Sequence, residues 1–216
     1  MWIPAALFLL GAYHGLNPAM GWLFAVSIGM QEKSGKAVVH SLWPLGAGHL
    51  ASVALVVGIA QMLRLTLPST AVRIIAGSCL IAYGIYRLIR RRHPRWVGMR
   101  VGSGDLTLWS FLMASAHGAG LMLLPFVLAT PSMAAMPSGY IHHMMMASAL
   151  EAPFAPALQW WLPVAIHTLG YLVATAFVAL LIYHKLGVAV LRRAWFNLDF
   201  LWAGALIAMG FLTFAL

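Results

Sequence analysis

Long apolar stretches separated by short polar segments run along the whole chain. A transmembrane helix needs about 20 mostly apolar residues to cross about 30 Å of hydrocarbon. The stretches that meet or approach this length are Ile3–Met30, Ser41–Leu63, Val72–Leu88, Leu106–Ala129, Trp160–Tyr183 and Phe200–Leu216. The pattern predicts an all-α, polytopic membrane protein with six transmembrane helices.

The composition favours the same interpretation. Of the 216 residues, 62% are hydrophobic and 8% are charged, whereas soluble domains average about 45–50% and about 25%. These values exclude an ordinary water-soluble domain. The single cysteine, Cys79, excludes an internal disulfide and a cysteine-rich metal site. We therefore expect residues 1–216 to form one membrane domain.

The basic residues predict how this domain is oriented. Of the 13 Lys and Arg residues, all but Arg64 and Arg73 follow the first, third and fifth apolar stretches. The positive-inside rule then puts these segments in the cytoplasm and both termini outside, as expected in a bacterial inner membrane. Arg90, Arg91 and Arg92 fit an anchor at the lipid headgroups better than a nucleic-acid site. The start of the chain lacks the positive charge of a secretory signal, so we expect the first helix to be retained.

The two halves of the chain have similar patterns. In each half, a His-Gly pair followed by a proline lies in the first helix, and a proline followed by a histidine lies in the second. The matching residues are His14, Gly15, Pro18, Pro44 and His49, and His117, Gly118, Pro125, Pro163 and His167. This pattern predicts two three-helix repeats, residues 1–100 and 101–216. Because three is odd, the second repeat would be inverted in the membrane, as in many secondary transporters.

The four repeat-related histidines are the main candidates for a functional site. An ionisable side chain at membrane depth is costly and usually marks a site or a pathway, and neutral imidazole is the commonest protein ligand of transition metals. We expect His14 and His117 near mid-membrane, with His49 towards the cytoplasm and His167 towards the outside. The alternative is that these histidines only form hydrogen bonds between helices.

Pro18 predicts a break in the first helix. Its ring removes the hydrogen bond to the carbonyl four residues earlier, which belongs to His14, and clashes with that carbonyl. We expect the helix to kink or open there and to leave carbonyl oxygens available to an ion. The alternative is a kink that serves helix packing.

The segment His14-Gly15-Leu16-Asn17-Pro18-Ala19-Met20, with Gly48-His49 in the next helix, resembles the nickel/cobalt permease and efflux superfamily. In that family a first-helix histidine is followed six residues later by another, often with an acidic residue between them. Met20 and Asn17 stand at these positions here. The resemblance implies a six-helix transporter of transition-metal ions. The His-Asn-Met set is softer and less charged, which adds copper(I) to the candidate ions. Met20 fits core packing equally well.

The second repeat contains an insertion in a segment that we expect to face outside. His14 and His49 are 35 residues apart, whereas His117 and His167 are 50 apart. The insertion, about residues 131–157, includes His142, His143 and several methionines. These side chains suit the capture of a soft metal ion. The alternative is an amphipathic segment on the bilayer surface.

These observations predict transport of a transition-metal cation by alternating access through a central histidine site. The candidate metal ligands are His14, Asn17, Met20, His49, His117 and His167. The ion, copper, nickel, cobalt or zinc, would be the substrate or a bound cofactor. We expect no catalytic residues, because the sequence lacks a nucleophile elbow, a phosphate loop and a His-Glu-x-x-His motif.

Two other functions use the same residues. One is a metal-dependent membrane enzyme, and the other is an accessory subunit that delivers metal to a partner. The expected partners are the lipid bilayer and the metal ion, with a homo-oligomer or a membrane partner subunit as further candidates and no nucleic acid.

Overall fold

The computed structural model describes residues 3–89, 101–129, 155–186 and 198–215, with side chains over 3–89, 101–129, 161–185 and 200–215. Every regular element in these ranges is helical. The α-helices are α1 (Ile3–Leu16), α2 (Trp22–Gln31), α3 (Gly35–Thr66), α4 (Ser69–Ile89), α5 (Ser103–Ala116), α6 (Leu124–Ala129), α7 (Ala155–Leu181) and α8 (Leu198–Ala215). A π-helical turn, Ile182–Leu186, continues α7.

Every predicted apolar stretch is helical, but only some of the helices are long enough to cross a membrane alone. By length and composition α3, α4 and α7 qualify, and α5 with α6 makes a fourth span if this bent pair is counted as one. Helices α1, α2 and α8 are apolar but shorter. The described structure is therefore all-helical and consistent with an integral membrane protein.

The predicted break in the first apolar stretch is confirmed. Helix α1 ends at Leu16, a short 3-10 helix spans Pro18–Met20, and α2 begins at Trp22. The Asn17 side-chain oxygen accepts a hydrogen bond from the Ala19 backbone N–H at 3.0 Å. The interruption thus has its own local cap, in addition to the hydrogen bond that Pro18 removes.

A second break, which the proline pattern does not predict, interrupts the fourth apolar stretch. Helix α5 ends at Ala116, and the axes of the two segments on either side differ by 53°. Gly118 has a φ of 69°, a conformation that glycine adopts without steric cost. Pro125 lies inside α6 and does not cause this bend. The bend therefore follows from Gly118, directly after His117.

Three helix pairs account for most of the packing: α1 with α7, α3 with α5, and α4 with α8. The α1–α7 pair is especially close. A Cβ atom added to Gly11 would lie 1.9 Å from the carbonyl oxygen of His167, and one added to Gly170 would lie 2.1 Å from that of Phe8. Only glycine permits this backbone contact, which fixes the level at which α7 crosses α1.

Candidate functional site

Three buried histidines from three helices meet inside the bundle. His14 of α1, His49 of α3 and His167 of α7 each have 0% exposed surface. Their ring centroids are 4.9 Å apart for His14–His167, 5.3 Å for His49–His167 and 5.9 Å for His14–His49. We call these three residues the histidine cluster.

Close backbone packing brings these rings together. The carbonyl group of His167 lies against Gly11, and His14 is one turn further along α1. On the other side, the Ser110 hydroxyl of α5 donates to the Leu45 carbonyl of α3 at 2.6 Å, one turn before His49. Helices α1, α3 and α7 therefore present their histidines at the same level.

A backbone hydrogen bond fixes the proton on the His14 ring. The Nδ1 atom of His14 lies 2.8 Å from the carbonyl oxygen of Leu10, which can only accept. Nδ1 therefore carries the hydrogen, and in the neutral ring the lone pair is on Nε2. That Nε2 atom is buried and has no hydrogen-bond partner. Histidines that ligate metals are commonly oriented in this way.

His49 is more unusual, because neither of its ring nitrogens makes a hydrogen bond. A buried polar group without a partner loses its hydration and gains nothing in return, at a cost of about 1–3 kcal/mol. Such groups in a native fold need an explanation, and a bound ion or water is a common one. The cluster therefore has the chemical character of a ligand site.

Two aromatic side chains line the cluster. The Tyr171 ring stacks on His49 with a centroid distance of 4.0 Å and an interplanar angle of 6°. The Trp202 ring of α8 lies 4.4 Å from that of His14. Tyr171 and Trp202 are 0% and 1% exposed. They place two buried aromatic rings directly against the imidazoles.

His117 is held like His14 and shares a neighbour with it. Its Nδ1 atom lies 2.8 Å from the Met113 carbonyl oxygen, the same four-residue spacing as in His14. Its ring centroid lies 5.4 Å from that of Trp202. Trp202 therefore contacts both histidines that stand at the two helix breaks.

The predicted positions of His49 and His167 across the membrane are wrong. His49 and His167 were expected towards opposite faces of the membrane, yet their rings are 5.3 Å apart. The helices begin earlier than the apolar stretches suggested: α3 starts at Gly35 and α7 at Ala155. These extensions place His49 near the middle of α3 and bring His167 level with His14.

The other two predicted ligands, Asn17 and Met20, have structural roles. The Asn17 oxygen is engaged by the Ala19 N–H. Met20 is 1% exposed and packs in an apolar cluster with Leu7, Val53 and Met113. Its surroundings favour the core-packing alternative.

The expectation of an available carbonyl oxygen four residues before Pro18 is not met, because the His14 carbonyl accepts a hydrogen bond from the Asn17 backbone N–H at 3.2 Å. Nearby side chains donate to the carbonyls of this segment: Trp22 Nε1 to Leu16 at 3.1 Å, Trp109 Nε1 to Ala19 at 3.1 Å and the Tyr171 hydroxyl to Met20 at 2.7 Å. The helix opens as predicted, but these donors from α2, α5 and α7 already occupy the oxygens.

The distances between the three rings fit a shared metal ion, but the orientations of the rings do not. Imidazoles bind zinc at about 2.0–2.1 Å, which places the centroids of rings around one ion about 5 Å apart. The observed distances are close to this value. As the rings stand, however, no group of three or more His, Cys, Asp and Glu within the described residues could hold a metal ion. Joint coordination therefore requires the rings to rotate.

Sequence reasoning missed Tyr171 and Trp202. Tyr171 follows His167 by four residues, so helical spacing places both on one face of α7, and this signal was available. Trp202 reaches the site only through the packing of α8, which no local pattern encodes.

The remaining candidates, His142 and His143, lie outside the described residues. Comparison of the chain with protein-family models, curated proteins and solved structures finds no match.

Proposed function

We propose that this protein is an integral membrane transporter of a transition-metal cation, of the copper, nickel, cobalt or zinc class, and that the histidine cluster binds the ion during alternating access. One observation carries the proposal. Three fully buried imidazoles from three helices converge, and the Nε2 atom of His14 and both ring nitrogens of His49 have no hydrogen-bond partner. A polar cluster at this depth is costly, so a function is the best reason for its presence.

Six membrane crossings are part of the proposal, with each interrupted pair counted as one. Support comes from helix ends that lie together. Arg64 at the end of α3 donates to the Val127 carbonyl of α6, and Arg73 at the start of α4 lies 3.5 Å from the Leu128 carbonyl oxygen. The start of α3 lies at the other end, where Gly35 faces His184 after α7. This alternation fits six crossings, and the basic residues add the orientation with both termini outside.

The packing also supports two inverted repeats. In the proposed repeat α1 corresponds to α5, α3 to α7 and α4 to α8. Exchanging the two repeats therefore turns the α1–α7 pair into the α5–α3 pair and leaves the α4–α8 pair unchanged. These are the three most extensive helix contacts. The matching backbone hydrogen bonds of His14 and His117 follow the same exchange.

The proposed mechanism uses the lone pairs of the cluster. A cation binds at His14 Nε2 and the rotated rings of His49 and His167, and His117 offers a further ligand beside Trp202. Protons and metal ions compete for the same imidazole lone pair, so metal release coupled to proton binding suits this site. Rocking of the two three-helix repeats against each other would expose the cluster to each side of the membrane in turn.

The test is metal flux into vesicles containing the purified full chain. We expect His14→Ala and His49→Ala to lower the flux of the transported ion about tenfold or more, because each removes a ligand. His40→Ala is the matched control, since this exposed histidine of α3 bonds to the Lys36 carbonyl. Full flux in both cluster variants, or no flux of copper, nickel, cobalt or zinc by the wild type, would overturn the proposal.

A further inference from the structure

We infer that the histidine cluster selects a monovalent soft cation, copper(I), over the divalent ions of the same class. This inference rests on the proposed function, because it takes the cluster to be the cation site. It goes further by naming the charge and the coordination preference of the cargo, which follow from the groups that surround the three rings.

The described side chains bring no negative charge to the cluster. Glu32 and Asp105 are the only carboxylates among the side chains that the structure describes. Glu32 is exposed just after α2, and exposed Asp105 accepts a hydrogen bond from the Gly102 backbone N–H at 2.9 Å, at the start of α5. Neither carboxylate lies at the cluster, so these groups leave the imidazoles without a counter-charge.

Tyr171 does not supply a negative charge either. Its hydroxyl donates to the Met20 carbonyl at 2.7 Å, and it needs its proton for that bond. The phenol ring that stacks on His49 is therefore neutral. The aromatic rings that contact His14 and His49, those of Trp202 and Tyr171, are therefore both neutral.

Such an environment distinguishes strongly between ion charges. The free energy needed to move an ion from water into a medium of low dielectric constant rises with the square of its charge. For a divalent ion it is therefore about four times that for a monovalent ion of equal size. A carboxylate ligand offsets part of this cost. Without one, the neutral cluster favours the monovalent ion.

The number of ligands favours the same ion. Nickel(II) and cobalt(II) commonly take more than three ligands, whereas copper(I) is satisfied by two or three soft or imidazole ligands. The cluster offers three imidazoles, and the buried rings of Tyr171 and Trp202 lie against two of them. Aromatic faces also stabilise a nearby cation. The three rings can therefore form a complete shell for copper(I) but not for an octahedral ion.

The binding test compares ions on the full chain in lipid nanodiscs. Copper(I) is titrated in ascorbate against a coloured copper(I) chelator, and Ag⁺, Ni²⁺, Co²⁺ and Zn²⁺ are titrated separately. We expect one Cu⁺ or Ag⁺ per chain, with about 100-fold weaker binding of the divalent ions. His49→Ala should weaken Cu⁺ binding about tenfold or more, and His40→Ala should not.

A charge exchange tests the electrostatic reason directly. His167→Asp adds the missing negative charge, and we expect it to raise Zn²⁺ affinity relative to Cu⁺ affinity. His167→Asn is the neutral control and should leave the monovalent preference in place. Asp199, at the start of α8, has a side chain outside the described set. Asp199→Asn should leave Cu⁺ binding unchanged, and loss of binding in this variant would overturn the neutral-site argument.

The outcomes separate this inference from the proposed function. Cluster-dependent binding of a divalent ion as tight as that of Cu⁺ would overturn the inference and leave the transporter proposal standing. A wild-type protein that neither binds nor moves any of these metals would overturn both. The wild-type titrations alone decide between these results, even if a substituted chain does not fold.

Discussion

At the scale of single residues, the informative feature is which buried polar atoms lack partners. The sequence singled out His14, His49 and His167 because ionisable side chains stand out in an apolar chain, but it placed His49 and His167 towards opposite faces. It could not separate a ligand role for Asn17 and Met20 from the cap and the core packing that the structure shows, because these roles depend on neighbours. Local spacing alone does not reveal which donor another helix supplies.

Tyr171 provides a prediction at this scale. Tyr171→Phe keeps the ring stacked on His49 but loses the hydrogen bond to the Met20 carbonyl. We expect it to destabilise the protein by about 1 kcal/mol, since one buried hydrogen bond is lost. Thermal unfolding in detergent measures this effect. Tyr86→Phe is the control, because Tyr86 is exposed on α4. Equal shifts in both variants would mean that the Met20 bond contributes nothing.

At the scale of helices, close packing and two interruptions shape the structure. The break at Pro18 was predictable because proline has a local steric effect. The bend after His117 was not, because glycine permits many conformations and the surrounding fold selects a φ of 69°. Helix depths were misjudged because α3 and α7 begin before the apolar stretches that start at Ser41 and Trp160, at Gly35 and Ala155.

The α1–α7 contact gives the prediction for this scale. Gly11→Ala would put a methyl group against the His167 carbonyl and force the helices apart, and we expect a loss of about 2 kcal/mol or more together with weaker metal binding. Gly58→Ala in α3 is the matched control, because no atom lies within 4 Å of its added Cβ. There alanine should be neutral or stabilising by up to about 1 kcal/mol. Thermal unfolding and copper(I) titration measure both, and similar behaviour of the two variants would contradict the close contact.

At the scale of the whole molecule, the arrangement follows from the helix pairs α1–α7, α3–α5 and α4–α8. In the sequence, the weak similarity of the two halves is the one sign of these pairs. The apolar stretches predicted where the helices lie because hydrophobicity is a local property. The number of crossings and the repeat remain predictions. Contacts between α6 and Arg64 or Arg73 join residues more than 50 positions apart, and no short pattern encodes them.

Labelling of single cysteines tests the proposed topology. In a Cys79→Ser background, we expect Lys33→Cys, between α2 and α3, to react with an impermeant thiol reagent only from the cytoplasmic side. Ser69→Cys, at the start of α4, should react only from the outside. Both wild-type residues are exposed. Labelling of both positions from one side would exclude the six-crossing arrangement with external termini.

The three aromatic side chains that hold the interrupted segment of the first helix have an energetic consequence. Movement of this segment would break the hydrogen bonds from Trp22, Trp109 and Tyr171. At about 0.6 kcal/mol for each bond, the free energy of the rearranged state lies about 2 kcal/mol above that of the resting state. That difference keeps its population near one molecule in thirty. A metal ion that binds only the rearranged form would then show an apparent affinity about thirtyfold below its intrinsic value. Substitutions that weaken these bonds would raise the apparent affinity and increase uptake at low metal concentration.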